Sequence, residues 1–298
     1  MDRSFVKLLM DKTGFSGDAK KEILRCTDNL ISAGLEGEFD ALLKLYADRS
    51  FRSSEVEKEV MELACKAGFS HYTLWLLLLI HAAQDAKPVY EKRGVNAELF
   101  WATMSDLKYK VDECHEIYGV WGNFVAFWYP IFFNCNIVKL GRLEFESCEY
   151  PLEEPYICGD VVVRKGDPVL SIHIPSSGES FDREARMDAY RKAFSFFGRK
   201  PLVCFCHSWL LYPPYWDLLQ EGSNIRSFMD DFDVIRKWDE DHFGDAWRLF
   251  GRDSEKKPEE LPEDTSMQRS FKRYLCAGGK TGEGFGVLIF DGEKIINK

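Results

Sequence analysis

The chain has 298 residues, 45% of them hydrophobic, and carries 39 Lys plus Arg against 49 Asp plus Glu, a formal charge of −10. That length accommodates one or two domains with a sizeable core, and the acidic balance argues against nucleic acid or an anionic membrane as the main partner. Nine cysteines, an odd number without CxxC pairs or regular spacing, read as reduced thiols of a cytoplasmic protein. Cys204-x-Cys206 is too tight for a tetrahedral zinc motif, so no metal is expected. The start, MDRSFVKLLMDKTGFSG, has too short an apolar run for a signal peptide.

From Asp2 to about Phe132 the pattern is helical. Segments 18–30, 36–47, 54–67 and 71–83 carry apolar residues at helical spacing, separated by breaks such as Ala33-Gly34 and Ala67-Gly68. A further helix is expected from the cap Asn96 through Phe100, Met104, Leu107 and Val111 to Tyr118-Gly119. The apolar runs 72–83 and 120–138 are too short, or too interrupted by Asn and Pro, to span a bilayer and read as buried core.

Near Asn134 the texture changes. Residues 137–146 alternate in period two and predict one strand with Leu140, Arg142, Glu144 and Glu146 on one face and Leu143 and Phe145 on the other. Strands follow over 157–164 and up to His173, with a turn at Lys165-Gly166-Asp167-Pro168 between them. Val169 to Leu211 then reads as strand, crossover helix, strand, a right-handed βαβ unit with parallel strands. Ser171 and His173 share a face of the first strand; Val203, Phe205, His207 and Trp209 share one of the second, opposite Cys204, Cys206 and Ser208. Both strands thus place a histidine near the carboxyl end, where open α/β sheets bind ligands. Beyond them come a helix from about Tyr215, one capped by Ser223-Asn224, short strands at 232–238 and 246–250, a charged surface loop at 252–264, a helix at 267–275 and a final strand at 286–291. The Gly-rich stretch Gly278 to Gly286 does not match a phosphate-loop spacing and reads as a flexible hairpin. The expected architecture is α+β: an N-terminal helical bundle over 1–134 and a mixed α/β domain over 135–298.

The residues Leu140-Gly-Arg-Leu-Glu-Phe-Glu146, His173-Ile-Pro175, Cys206-His-Ser-Trp-Leu-Leu211 and Ser223-Asn224-Ile225 with Phe228 resemble a family of bacterial acyltransferase-domain proteins. These join a helical N-terminal domain to a C-terminal domain like the GNAT superfamily, and the resemblance covers roughly residues 90 to 290. It implies an acyl-CoA-dependent N-acyltransferase with acetyl-CoA or a longer acyl-CoA as co-substrate. It also implies that one of two splayed parallel strands pairs with the pantetheine amides and that the pyrophosphate sits at the next helix start. The corresponding loop here supplies Ser176, Ser177, Gly178 and Ser180 as cofactor-binding candidates, but lacks the usual basic residue and carries Glu179, Asp182 and Glu184. A turn and helix cap is the plain alternative.

Acyl transfer to an amine needs a base, donors for the oxyanion and an acid for the thiolate. His173 and His207 are the candidate bases, Glu146 orients a histidine or acts as base, and Tyr212 is the candidate acid. Trp209, Ser208 and Asn224 are candidates for substrate contact, Trp209 equally suiting a core position. Cys206 and His207 cannot form a nucleophile–base pair directly, because adjacent strand residues point to opposite faces. The expected acceptor is a small-molecule or peptide amine. A non-catalytic GNAT-like module that binds a ligand or partner in the same cleft is the alternative reading.

Overall fold

The helical first half and the alternating second half resolve, in a computed structural model that describes residues 1–297, into two compact units. One comprises Met1–Lys139 with Pro175–Ser177; the other comprises Leu140–Ile174 and the chain from Gly178 onward. The fold is α+β, a helical N-terminal region followed by a mixed sheet.

In the first unit, α1 (Arg3–Thr13), α2 (Gly17–Ser32), α3 (Glu36–Asp48) and α4 (Glu57–Ala67) precede a long central helix, α5 (His71–Lys92). The apolar run from Thr73 to Ala83 is buried without a break, because helices pack α5 on all sides rather than along one stripe. Each leucine so buried contributes about 1.5–3 kcal/mol. The helix continues well past the expected end at Ala83 and includes Pro88. An interior proline costs about 3 kcal/mol, so here tertiary burial of Ala86 and Tyr90 outweighs local propensity. No single helix is long and apolar enough to cross a membrane.

The helix expected over Asn96–Tyr118 is two: α6 (Ala97–Met104) and α7 (Asp106–Tyr118). At the break, the Ser105 hydroxyl donates to Trp101 O and that of Thr103 to Leu99 O, competing with the backbone for those carbonyls. The aromatic run closes the unit with a short helix, α8 (Pro130–Phe133); Tyr129 at the cap donates to Asp106, Tyr129, Phe132 and Phe133 are buried, Phe124 and Trp128 are half-buried, and Phe127 is 69% exposed.

The strand expected over 137–146 breaks at Gly141, whose φ of +64° only glycine adopts cheaply, into β1 (Ile137–Leu140) and β2 (Leu143–Glu149). A small hairpin follows, β3 (Tyr156–Cys158) and β4 (Val161–Val163), then β5 (Pro168–His173), α9 (Arg183–Phe197) and β6 (Leu202–Ser208). The helix expected at Tyr215 is a 3-10 turn, Pro213–Leu218; α10 (Asn224–Met229) is capped by Ser223. After β7 (Asp233–Glu240), the segment 246–250 forms not a strand but a helix, α11 (Ala246–Phe250), which buries Ala246 and Phe250 four residues apart on one side. A helix, α12 (Ser266–Cys276), and β8 (Thr281–Phe290) end the fold. The main sheet runs β1-β2-β5-β6-β8-β7, and β5 and β6 are its parallel pair, with Leu170 opposite Cys204 and Ser171 opposite Phe205.

One sheet face packs Tyr190 and Phe194 of α9 against Phe290. Beside them the fully buried Arg186 donates to Asp231 at 2.7 Å, to Phe181 O and to Ser227, while Tyr190 also donates to Asp231. Truncating Asp231→Ala would strand the Arg186 cation and is expected to cost about 3–5 kcal/mol in chemical denaturation. A second expectation concerns His81, buried with Nδ1 donating to Leu77 O and Nε2 accepting from Asp2 N. Burial lowers its pKa, so the unfolded chain takes up a proton that the fold resists. The stability it supplies is complete above the unfolded value of about 6.5 and is lost as pH falls towards the folded one. Melting temperature should therefore drop between about pH 7 and about pH 5.5, with a shallower slope in His81→Gln.

Candidate active site

The ladder between β5 and β6 consists of Leu170–Cys204 and Ser171–Phe205, while each strand continues to the carboxyl side of it. On its outer flank β5 stays bonded to β2 as far as His173, and β6 to β8 as far as Ser208. The sheet is therefore parted at its centre and intact on both sides, which leaves backbone amides and carbonyls of the inner edges beyond the ladder.

Register decides which side chains meet there. Ser171 opposite Phe205 puts His173 and His207 on one face, and Glu146 opposite Ser171 and Phe285 opposite His207 add β2 and β8 to it. Towards the amino end of β5 and β6, this face is sealed by a core of Tyr150, Tyr156, Val163, Val169, Phe205, Phe285, Val287 and Ile289 under the β3–β4 hairpin. At the carboxyl end it is polar. His173 Nε2 donates to Glu146 Oε2 at 2.8 Å, both side chains being about a quarter exposed (25% and 22%). His207 Nε2 donates to Glu283 Oε2 at 2.8 Å. Each histidine is thus held by a carboxylate from its own outer neighbour, and each pair leaves the lone pair of the neutral imidazole on Nδ1. The hydrogen bond from His207, with its charge, holds the Glu283 carboxyl below the usual range, whereas burial and then the Glu283 and Asp245 charges push Glu240 up. The His207 ring lies 4.8 Å from that of Trp238. Among the described residues, no cluster of three or more His, Cys, Asp or Glu is disposed to hold a metal ion.

Other expected site residues lie elsewhere. Tyr212, 1% exposed, packs against Gly282 on the opposite sheet face and donates to Asp239 at 2.7 Å; that hydrogen bond, and then those from Lys280 and Lys237, hold the carboxyl at about 2. Ser208 points away from the histidines and accepts from Leu210 N. Trp209 sits in a cluster with Tyr215, Phe243 and Phe271. The Asn224 carbonyl accepts from Arg186. Cys206 is buried on the face away from His207, and burial pushes its thiol up to about 12, so it is not a thiolate near neutrality.

The candidate cofactor loop divides between the units. Ser176 donates to Glu113 of α7 within the first. In the second, Gly178 has a φ of +73°, Ser180 donates to Asp182, and Asp182 caps α9 by accepting from Ala185 N. That carboxylate, rather than the serines, is the cap.

Two residues with a claim on the site escaped the reading of the sequence. Glu283 lies in the Gly-rich stretch expected as a hairpin, most of which is β8. The alternation of Glu283, Phe285, Val287 and Ile289 with Gly282, Gly284 and Gly286 was the available signal. The glycines let β8 pack directly on the turn after β6: a Cβ on Gly284 would lie 2.0 Å from Leu211 O. Arg142 is the second, buried beside the loop that lacks basic residues.

The family model of the GNAT-like C-terminal domain matches residues 137–288, and that of the N-acyltransferase N-terminal domain matches 4–135. No curated protein matches the chain. Among solved structures, an acyltransferase in complex with decanoyl-CoA and teicoplanin superimposes with a TM-score of 0.71 at 19% identity, over 96% of this chain and 87% of that one. A mutant acyltransferase with octanoyl-CoA gives 0.70 at 19% identity, over 95% and 86%. An acyltransferase with CoA and 10C-teicoplanin gives the same values.

Because Tyr212 bonds the exposed Asp239 across the sheet from both histidines, Tyr212→Phe is expected to destabilise only slightly, water and the two lysines replacing the lost hydrogen bond. It should change turnover far less than the factor of about 10²–10⁴ that loss of a general acid brings. Parallel melting and rate measurements on the variant check both.

Proposed function

The chain belongs to the family that carries the GNAT-like C-terminal domain, here behind an N-acyltransferase N-terminal domain, and on that premise we propose that it is an acyl-CoA-dependent N-acyltransferase. The observation that carries the reading is the His173–Glu146 hydrogen bond at the carboxyl end of β5, where β5 and β6 part. Inner-edge amides and carbonyls of the parted strands suit the pantetheine arm, which bonds as an added strand would. The Gly178–Ser180 backbone before α9 takes the pyrophosphate.

In this mechanism the acceptor amine attacks the thioester carbonyl, and Nδ1 of His173 takes the amine proton while Glu146 holds the ring and offsets the imidazolium charge. The tetrahedral oxyanion collapses, the C–S bond breaks, and the coenzyme A thiolate takes up a proton. His207, kept near the cleft by Glu283, is placed to give that proton as an imidazolium. The solved relatives are bound to decanoyl-CoA, octanoyl-CoA and teicoplanin, so medium-chain acyl-CoA and an amine on a small molecule or peptide are the first substrates to try.

Thermal shift with acetyl-, octanoyl- and decanoyl-CoA tests the donor: a ligand at 100 times its Kd stabilises by about 2.7 kcal/mol. His173→Gln should lower kcat by about 10²–10⁴ while acyl-CoA affinity stays near that of the unaltered protein. Equal turnover in a folded His173→Gln variant rejects His173 as the base.

A further inference from the structure

Arg142 is 9% exposed and belongs to no strand: it follows Gly141 in the turn between β1 and β2. That turn lies directly on α9, for a Cβ on Gly141 would meet Ala189 Cα at 3.4 Å. From there the side chain reaches the segment before α9. Nε donates to Glu179 O at 3.2 Å, and the guanidinium lies 5.1 Å from the centre of the Phe181 ring. The same ring has the Arg186 guanidinium at 5.4 Å, and Arg186 also takes the carbonyl of Phe181 at 2.9 Å. Two arginines from different elements therefore hold two alternate carbonyls of the segment, and both lie against the Phe181 ring. In a trans peptide the N–H points opposite to the carbonyl it is bonded to, so holding the Glu179 carbonyl turns the Ser180 N–H the other way. The amides of Gly178, Ser180 and Phe181 have no intramolecular acceptor among the described residues. Residues 178–182 carry no cation, and at the start of α9 Asp182 and Glu184 flank Arg183.

We propose that Arg142 is a positioning residue for the coenzyme A phosphates: it fixes the Glu179 carbonyl and the Phe181 ring so that the Ser180 amide faces the pyrophosphate. This role rests on the N-acyltransferase reading. A planar guanidinium suits it because it can donate to a carbonyl and stack on a ring at once, which an ammonium cannot.

The test is calorimetric binding of decanoyl-CoA and of decanoyl-pantetheine, which lacks the phosphates, to the whole chain and to Arg142→Ala and Arg142→Lys. Arg142→Ala should raise the Kd of decanoyl-CoA by about tenfold or more and leave that of decanoyl-pantetheine unchanged, with Arg142→Lys in between. With decanoyl-CoA saturating, kcat should hold. A folded Arg142→Ala that binds decanoyl-CoA normally, or that loses both ligands in parallel, makes Arg142 a packing residue and overturns the proposal. Should that variant fail to fold, Phe181→Leu, which removes the ring against which both arginines lie, is expected to show the same selective loss, and unaltered decanoyl-CoA affinity overturns the proposal equally. If the unaltered protein binds no acyl-CoA at all, the acyltransferase reading itself fails; if it binds and the variants match it, only the role of Arg142 does.

Discussion

Two parallel strands that are bonded to each other over only two residue pairs are the constraint from which the second unit follows. A buried amide without a partner costs about 1–3 kcal/mol, so strands do not part without support. Here it comes from the outer flanks: β2 holds β5 from Glu149 to Glu144, and β8 holds β6 along its whole length. Antiparallel ladders are slightly stronger per residue than parallel ones, which makes the central parallel pair the place where a sheet of this order gives way most cheaply. The amino end of the same pair is clamped by the aromatic and aliphatic core under the β3–β4 hairpin, so the parting is confined to the end that carries the histidines.

The two sheet faces then take different work. On one, Glu146, His173, His207 and Glu283 form two carboxylate–imidazole pairs at the cleft. On the other, the glycines of β8 admit Leu211, Tyr212 and Phe232 at distances no side chain would allow. That close approach buries Tyr212, whose hydroxyl reaches the exposed Asp239 beside Lys237 and Lys280, a charged cluster separated from the histidines by the sheet. The Arg186–Asp231 pair does on the α9 side what the hairpin core does on the other, joining α9 to the end of α10 through a cation that has no water to fall back on.

Acidic residues at the start of α9 serve folding, since Asp182 caps the helix and its carboxylate accepts from Ala185 N. The same charge opposes a phosphate. Buried arginines drawn in from the β1–β2 turn and from α9 itself place positive charge against the loop, a balance set by elements far apart in the chain.

Periodicity was enough to place the helical first half, the change of texture near Asn134, the βαβ unit and the faces of Glu146, His173 and His207, because those are properties of residues i, i+2 and i+4. It failed where neighbours in space overrule neighbours in sequence. Pro88 continues a helix because burial around it outweighs the lost hydrogen bond, and 246–250 coils because Ala246 and Phe250 share a buried side. The glycines of β8 read as a flexible hairpin until the turn after β6 is laid against them. The histidines are of the same kind: strand spacing gave the face of each on its own strand, but that the two share one face, and which carboxylate each one holds, depends on the registers of β5 with β6, β2 with β5 and β6 with β8. Tyr212 stands four residues past Ser208 and Arg142 four before Glu146, yet the first ends across the sheet from the site and the second reaches the loop before α9. Local pattern determined the strands and their faces; only the closing of the sheet, through side-chain packing between distant segments, decided what those faces would meet.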